Sequence, residues 1–191
     1  VQAQPQKDGK NAGEMLTGAI KAAILLNTEP AFDAAAGAKG LEQADMVITL
    51  SPFKANLDIS DVLLPVAPFT ETSGTFVNAE GRVQSFHAVV KPLGETRPAW
   101  KVLRVLANLL ELPGFDYESS QDVLTAASGA ETKEVPGALR SNITKVAAKV
   151  PENEAGEPVT ASIYQLDGIV RRATSLQLTA DARLAREGGA A

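Results

Sequence analysis

Short, nearly unbroken apolar runs recur along the chain, separated by polar stretches marked with proline or glycine. Lys21-Ala-Ala-Ile-Leu-Leu26, Met46-Val-Ile-Thr-Leu50 and Asp61-Val-Leu-Leu-Pro-Val66 are three such runs. Runs of this length without polar alternation read as strands buried on both faces, the pattern of a parallel sheet. Helical signals lie before and between them. Asn11 with Glu14 has capping-box spacing and predicts a helix from Ala12 to about Ala19. Ala31–Lys39 is alanine-rich, with Phe32 as its expected anchor and Gly37 and Gly40 weakening its end. Ser51-Pro52 offers a cap and a first-turn proline for a short helix through Leu57. Three strands with short helical crossovers make βαβ units, whose crossovers should be right-handed.

Beyond the third run the pattern changes. Pro65 and Pro68 cannot donate to a ladder and are expected to close the strand. A polar loop, Thr70–Gly74, follows. Thr75–Val77 and Arg82–Gln84 then form two arms joined by Asn78-Ala-Glu-Gly81, where Gly81 supplies a positive φ. Phe86–Val90 extends the second arm. Pro98–Leu112 is the clearest helix, with Trp100, Leu103, Leu106 and Leu110 on one face and Val102, Val105 and Leu109 widening it into a well-buried stripe. Leu112-Pro113-Gly114 stops it. Ser119 or Ser120 caps a helix through Ala127, and Leu139, Ile143, Val146 and Val150 have helical spacing. The 151–158 stretch is a charged, proline-bounded linker. Ile163–Leu166 reads as a short strand, and Leu176–Arg186 as helical or extended. The fold class expected is α/β: a partial doubly wound, Rossmann-like parallel sheet with a β-hairpin excursion and a mostly helical or irregular C-terminal segment. The expected divisions are 1–112 for the sheet-bearing part, 113–160 for a helical and linker segment, and 161–191 for the start of a C-terminal segment.

Composition narrows the function classes. With 45% hydrophobic and 21% charged residues over 191 positions, the chain has the make-up of a folded domain. A net charge of −5 argues against nucleic-acid binding, which rests on paired phosphates. No apolar run approaches the roughly 20 residues of a membrane-spanning helix, so direct membrane insertion is not expected. The chain has no cysteine and one histidine, His87. Disulfides, thiolate metal sites, cysteine-ligated clusters and multi-histidine zinc sites therefore have no ligands here. The start at Val1 and the plain Gly-Gly-Ala-Ala end are those expected of a fragment.

The run DVLLPVAPFTETSGTFVNAEGRVQ, Asp61–Gln84, resembles the strand–loop–hairpin of the molybdopterin oxidoreductase superfamily, in which a Leu-Pro strand end precedes Glu, Gly-Thr, Asn and Glu-Gly-Arg. Ser85-Phe86, Lys91–Leu103 and Leu112–Tyr117 are similar to the large iron–sulfur subunit of bacterial NADH:quinone oxidoreductase, respiratory complex I. Asn11–Leu16, Glu29–Asp33 and Asp167–Ala173 are similar to the same subunit. The resemblance implies part of a molybdopterin-oxidoreductase-like domain, with the family's [4Fe–4S] and [2Fe–2S] clusters upstream and its small barrel downstream. It implies no cofactor within this chain, partners among the other subunits of the peripheral arm, and a cytoplasmic location on the inner face of the cell membrane.

Loops after parallel strands are where open α/β sheets hold ligands. In cofactor-binding relatives the turn after the first such strand resembles Gly-x-Asn-Pro; here it is Asn27-Thr28-Glu29-Pro30. The Glu29 carboxylate would repel a phosphate, by roughly 4 kcal/mol for unit charges 4 Å apart at an effective dielectric of 20, unless a cation intervenes. A relict turn is therefore expected rather than a bound pterin dinucleotide, and molybdopterin is not expected. Glu71 invites an acid–base role, but a loop carboxylate without a titratable partner is more often a cap. Asn78, Glu80 and Arg82 read as hairpin residues, Asn78 through an Asx-turn. His87 reads as structural or surface, and Trp100 as a core anchor. Arg171-Arg172 is either a grip for an acidic partner or an internally paired dyad, the second being preferred. No catalytic or metal-ligating residue is expected. Asn27, Glu29, Glu71, Thr75, Asn78 and Arg82 remain as relict cofactor-site candidates. The alternative is a working pterin-dinucleotide-binding domain of a molybdenum oxidoreductase. An open sheet edge and the apolar face of Pro98–Leu112 would allow self-association of the isolated chain.

Overall fold

A computed structural model describes residues 9–34, 37–78, 82–128 and 162–188. Helix α1 (Ala12–Thr17) opens on the expected capping box: the Asn11 side chain accepts from the Glu14 N–H, and Glu14 Oε2 accepts from the Asn11 N–H, both at 2.9 Å. Strand β1 (Ala22–Leu26), helix α2 (Pro30–Asp33), a 3₁₀ turn at Lys39–Leu41, β2 (Met46–Ser51) and β3 (Val62–Pro65) follow. The sheet order is β1-β2-β3 with both pairings parallel. Ile24, Ile48 and Val62 share one row, and Leu26, Leu50 and Leu64 another. The architecture is thus mixed α/β with a three-stranded parallel sheet, as the apolar runs predict.

Alternation along the strands divides the sheet into two faces. Leu25 and Val47 point to one side and pack with Leu16 of α1 and Leu41 of the 3₁₀ turn as the core. On the other side Ile24, Leu26, Met46 and Val62 are between 38% and 49% exposed. The third strand is therefore not the buried strand its sequence suggests: it is an edge. Pro65 is the last residue of β3, where it pairs with Ser51 and closes the strand as expected; the edge position leaves its missing N–H without consequence.

Gly40 sets the distance between α1 and the 3₁₀ turn. A Cβ there would overlap the Leu16 carbonyl, a backbone atom that cannot swing aside. Gly40→Ala is expected to cost about 1–3 kcal/mol through overpacking, read as a lowered urea midpoint with an unchanged slope.

Three local expectations fail, each through a side chain that competes with the backbone. The helix expected at Ser51–Leu57 does not form, because Ser51 is the last residue of β2 and its Oγ accepts from the Phe53 N–H at 3.1 Å, closing a tight turn instead. Among the described residues the helix expected at Ala31–Lys39 ends with α2, since Ala34 is already extended and the Asp33 carboxylate folds back onto the Glu29 N–H. Phe32 is no core anchor and is 52% exposed. Ile163–Leu166 is a turn rather than a strand, with the Ser162 hydroxyl accepting from the Tyr164 N–H.

The hairpin forms as β4 (Gly74–Val77) and β5 (Val83–Phe86), antiparallel. Phe86 stacks on Phe76 with centroids 4.9 Å apart and covers Gly74, where a Cβ would lie 2.9 Å from its ring. Gly81 lies outside the described residues. The second arm stops at Phe86; the Val89 and Val90 N–H groups donate to the Thr70 carbonyl instead of extending the ladder.

Helix α3 (Ala99–Leu109) carries the apolar stripe, but only Ala107 is buried and Leu109 is 76% exposed, so the helix is less covered than its pattern suggests. Helix α4 (Ser120–Ser128) is capped by Ser119, whose Oγ accepts from the Asp122 N–H. The readings at 139–150 and 151–158 lie outside the described residues. Helices α5 (Gly168–Arg172), α6 (Thr174–Gln177) and α7 (Ala180–Gly188) follow among the described residues, so Leu176–Arg186 is helical with a break at Leu178-Thr179. Among the described residues no helix is long and apolar enough to cross a membrane.

Candidate functional site at the ends of the parallel strands

A cavity of about 360 Å³ lies at the C-terminal ends of the strands, lined by Asn27 and Glu29 after β1, Ser51 at the end of β2 with Pro52 and Phe53 beyond it, and Pro68 and Phe69 after β3. Phe76 from the hairpin and Leu166 to Ile169 with Arg171 close the remaining sides. This is the crevice position at which open parallel sheets hold ligands.

The turn after β1 is held by backbone bonds and by a buried polar knot. Asn27 has a φ of +50°, a left-handed conformation that asparagine tolerates better than other non-glycine residues. Its N–H donates to the Leu50 carbonyl at 2.9 Å. Asn56 Nδ2 donates to the Thr28 carbonyl and to the Thr49 hydroxyl, which itself lies 2.7 Å from the Ser60 hydroxyl. Thr49 and Ser51 are fully or nearly buried, so these hydroxyls need partners within the protein.

Charge gathers on this turn from the other end of the chain. Arg172 grips Glu29 with both terminal nitrogens, Nη1 to Oε1 at 2.9 Å and Nη2 to Oε2 at 3.1 Å. Arg171 reaches Glu29 Oε1 through Nη2 at 3.2 Å and Asp33 Oδ1 through Nη1 at 3.1 Å. Asp33 Oδ2 accepts from the Glu29 N–H at 2.7 Å and from the Thr28 hydroxyl at 3.3 Å. Aromatic faces back both guanidinium groups: Phe32 lies 4.7 Å from Arg171 and Phe53 lies 4.2 Å from Arg172. The Arg171 side chain is 7% exposed and that of Glu29 12%. Burial alone would raise the pKa of Glu29; the hydrogen bonds from Arg172 and then Arg171, with their charges, outweigh it and hold the carboxyl below its ordinary value.

The sequence-level candidates separate accordingly. Glu29 is at the centre of the cluster, and Asn27 shapes its turn. Glu71 serves as a strut, its Oε2 accepting from the Leu93 N–H at 2.8 Å and tying the loop after β3 to the stretch before α3. The Thr75 hydroxyl lies 3.0 Å from that of Ser85 across the hairpin. Asn78 Oδ1 accepts from the Arg82 N–H, and the Asn78 N–H donates to the Arg82 carbonyl, which closes the described end of the hairpin. His87 is exposed and Trp100 half-buried. Arg171-Arg172 is the internally paired dyad rather than a free grip.

Two features escape the sequence. Asp33 gives no signal beyond its place in a helical stretch, and its partnership with Arg171 spans a sequence separation of 138 residues. Glu29, for its part, is not a bare carboxylate, because the cation that would intervene there is present twice. Repulsion is therefore not what would keep a phosphate out. The donors and charges of the turn are already taken by one another.

Residues 1–109 match the family model described as molybdopterin oxidoreductase. A putative formate dehydrogenase of Staphylococcus aureus (strain bovine RF122 / ET3-1) is 39% identical over 77 residues, which are 40% of this chain and 8% of that protein. A probable oxidoreductase of Bacillus subtilis is 39% identical over 71 residues, 37% of this chain and 7% of that one. The chain thus spans less than a tenth of the length of these relatives. Among solved structures, acetylene hydratase from Pelobacter acetylenicus aligns over 61% of this chain and 18% of its own, at 21% identity and a TM-score of 0.46. With the family match running over residues 1–109, more than half of the chain and including the sheet, the hairpin and α3, the chain belongs to the molybdopterin oxidoreductase family.

Proposed function

We propose that this chain is a structural and interaction segment of the molybdopterin-oxidoreductase-like domain in the large iron–sulfur subunit of an NADH:quinone oxidoreductase. It has no redox chemistry of its own in this reading; its parent passes electrons from NADH toward quinone through clusters held elsewhere. The other subunits of the peripheral arm are its partners, on the inner face of the cell membrane. The run Asp61–Gln84 with its continuation Lys91–Leu103 supports the assignment.

The observation that carries the cofactor-free part is the state of the strand-end turn. A pyrophosphate settling there needs N–H groups and cations to receive it. The Glu29 N–H is committed to Asp33, Arg172 to Glu29, and Arg171 to both Glu29 and Asp33. The residues present therefore do not suit a pterin dinucleotide. Metal and pterin analysis of the purified full-length parent is the test: no molybdenum or tungsten is expected, and stoichiometric amounts of either would overturn the reading.

A second reading has its own support. The family match, the relatives named as formate dehydrogenases and the cavity beyond the strand ends favour a working pterin-dinucleotide-binding domain of a molybdenum oxidoreductase. It requires the ligand to displace two carboxylates from two arginines, and the same metal analysis decides it.

A further inference from the structure

We propose that the turn after β1 and helix α5 form a self-occupied anion site, in which the carboxylates of Glu29 and Asp33 stand where an anionic ligand would and clasp the 162–188 segment onto the open end of the sheet. The proposal rests on the cofactor-free reading above and adds what fills the site and what that filling does.

The donor set at Asp33 is that of an oxyanion site. One backbone N–H, one hydroxyl and one guanidinium converge on a single carboxylate, from Glu29, Thr28 and Arg171. Glu29 completes the arrangement by taking the paired nitrogens of Arg172 and one from Arg171. Two negative and two positive groups thus close on one another. The approach is close: a Cβ at Gly168 would stand 3.4 Å from Glu29 Oε1 and 3.6 Å from a nitrogen of each arginine.

The clasp is also braced from the α5 side. Arg171 Nη1 donates to the Gln165 carbonyl at 2.6 Å, and Arg172 Nη1 to the Gly168 carbonyl at 2.9 Å. Asp167 Oδ1 caps α5 by accepting from the Ile169 and Val170 N–H groups. Gln177 Nε2 donates to the Tyr164 and Val170 carbonyls, which binds α6 to the same knot. Helices as short as α5 and α6 have little intrinsic stability, so their order depends on what they dock against. The clasp supplies that docking.

Amide hydrogen exchange on the full chain tests it. In Glu29→Gln the amides of Arg171, Ala173 and Gln177, which are bonded within α5 and α6, are expected to exchange about ten-fold or more faster, with β2 amides unchanged. Adding Arg172→Gln to Glu29→Gln is expected to accelerate exchange by clearly less than the product of the two single effects, because both substitutions open the same contact and only the Arg172 bond to the Gly168 carbonyl is lost in addition. Asp33→Asn, which keeps the shape of the turn, serves if Glu29→Gln does not fold. Wild-type exchange in α5 and α6 after substitution of the turn would overturn the clasp, as would strictly additive effects of the pair. Either result leaves the cofactor content of the parent to the metal analysis. Conversely, molybdenum in the parent alongside coupled exchange overturns the cofactor-free reading and leaves the coupling intact.

Discussion

Arg171→Ala is expected to destabilise the folded chain by about 3 kcal/mol near neutral pH, measured by urea unfolding. The side chain is 7% exposed and joins Glu29, Asp33 and the Gln165 carbonyl, so its removal leaves three acceptors short of a donor. Glu29 keeps Arg172, and Asp33 is open enough to recover water, which holds the loss to the lower part of the range for a broken buried pair. Arg171→Lys should recover only part of it. An ammonium cannot reach Glu29 and Asp33 with a planar fork or lie flat against Phe32. The pH dependence has a definite sign. The pKa of Glu29 is lower in the folded chain than its ordinary value of 4.5, so its contribution is complete above that value and is lost as pH falls through the folded value. The gap between wild type and Arg171→Ala should therefore narrow in acid. A gap that stays constant through that window would mean that Arg171 acts through packing rather than through Glu29.

The sequence discloses those features whose causes are local. Asn11 and Glu14 lie three residues apart, and the capping box they predict forms as written. The three apolar runs become three parallel strands although only the central one is largely buried, and the hairpin follows from arms short enough to pair across a turn. Ser51-Pro52 misleads because the same serine hydroxyl that caps helices also closes a tight turn, and the choice depends on β2 running one residue further than its apolar stretch. Phe32 misleads in the same way: its place in an alanine-rich stretch suggests a core anchor, whereas its partner is Arg171. The site illustrates the limit most clearly. Glu29 could be singled out as the residue at odds with a phosphate, and Arg171-Arg172 as a dyad in need of partners. Nothing local says that each answers the other across 143 positions.

Leu50→Ala is expected to cost about 3 kcal/mol or somewhat more, the loss from deleting a buried leucine side chain together with the cavity left behind. Leu50 is 0% exposed and sits in the row Leu26–Leu50–Leu64 on the central strand, where neighbours on both sides are held by parallel pairing and cannot collapse into the gap. Leu50→Met keeps most of the volume and should cost less than about 1.5 kcal/mol. The contrast with Arg171 is informative because Leu50 is joined to the functional turn by its backbone, its carbonyl accepting from the Asn27 N–H. Truncating the side chain leaves that bond available. Leu50→Ala should therefore lower the urea midpoint while leaving the coupled exchange of the turn and α5 as in the wild type. Arg171→Ala should disturb both. If Leu50→Ala loosened α5 as much as Arg171→Ala does, the order of the 162–188 segment would depend on the sheet as a whole, and the four charges at the strand end would not be what holds it.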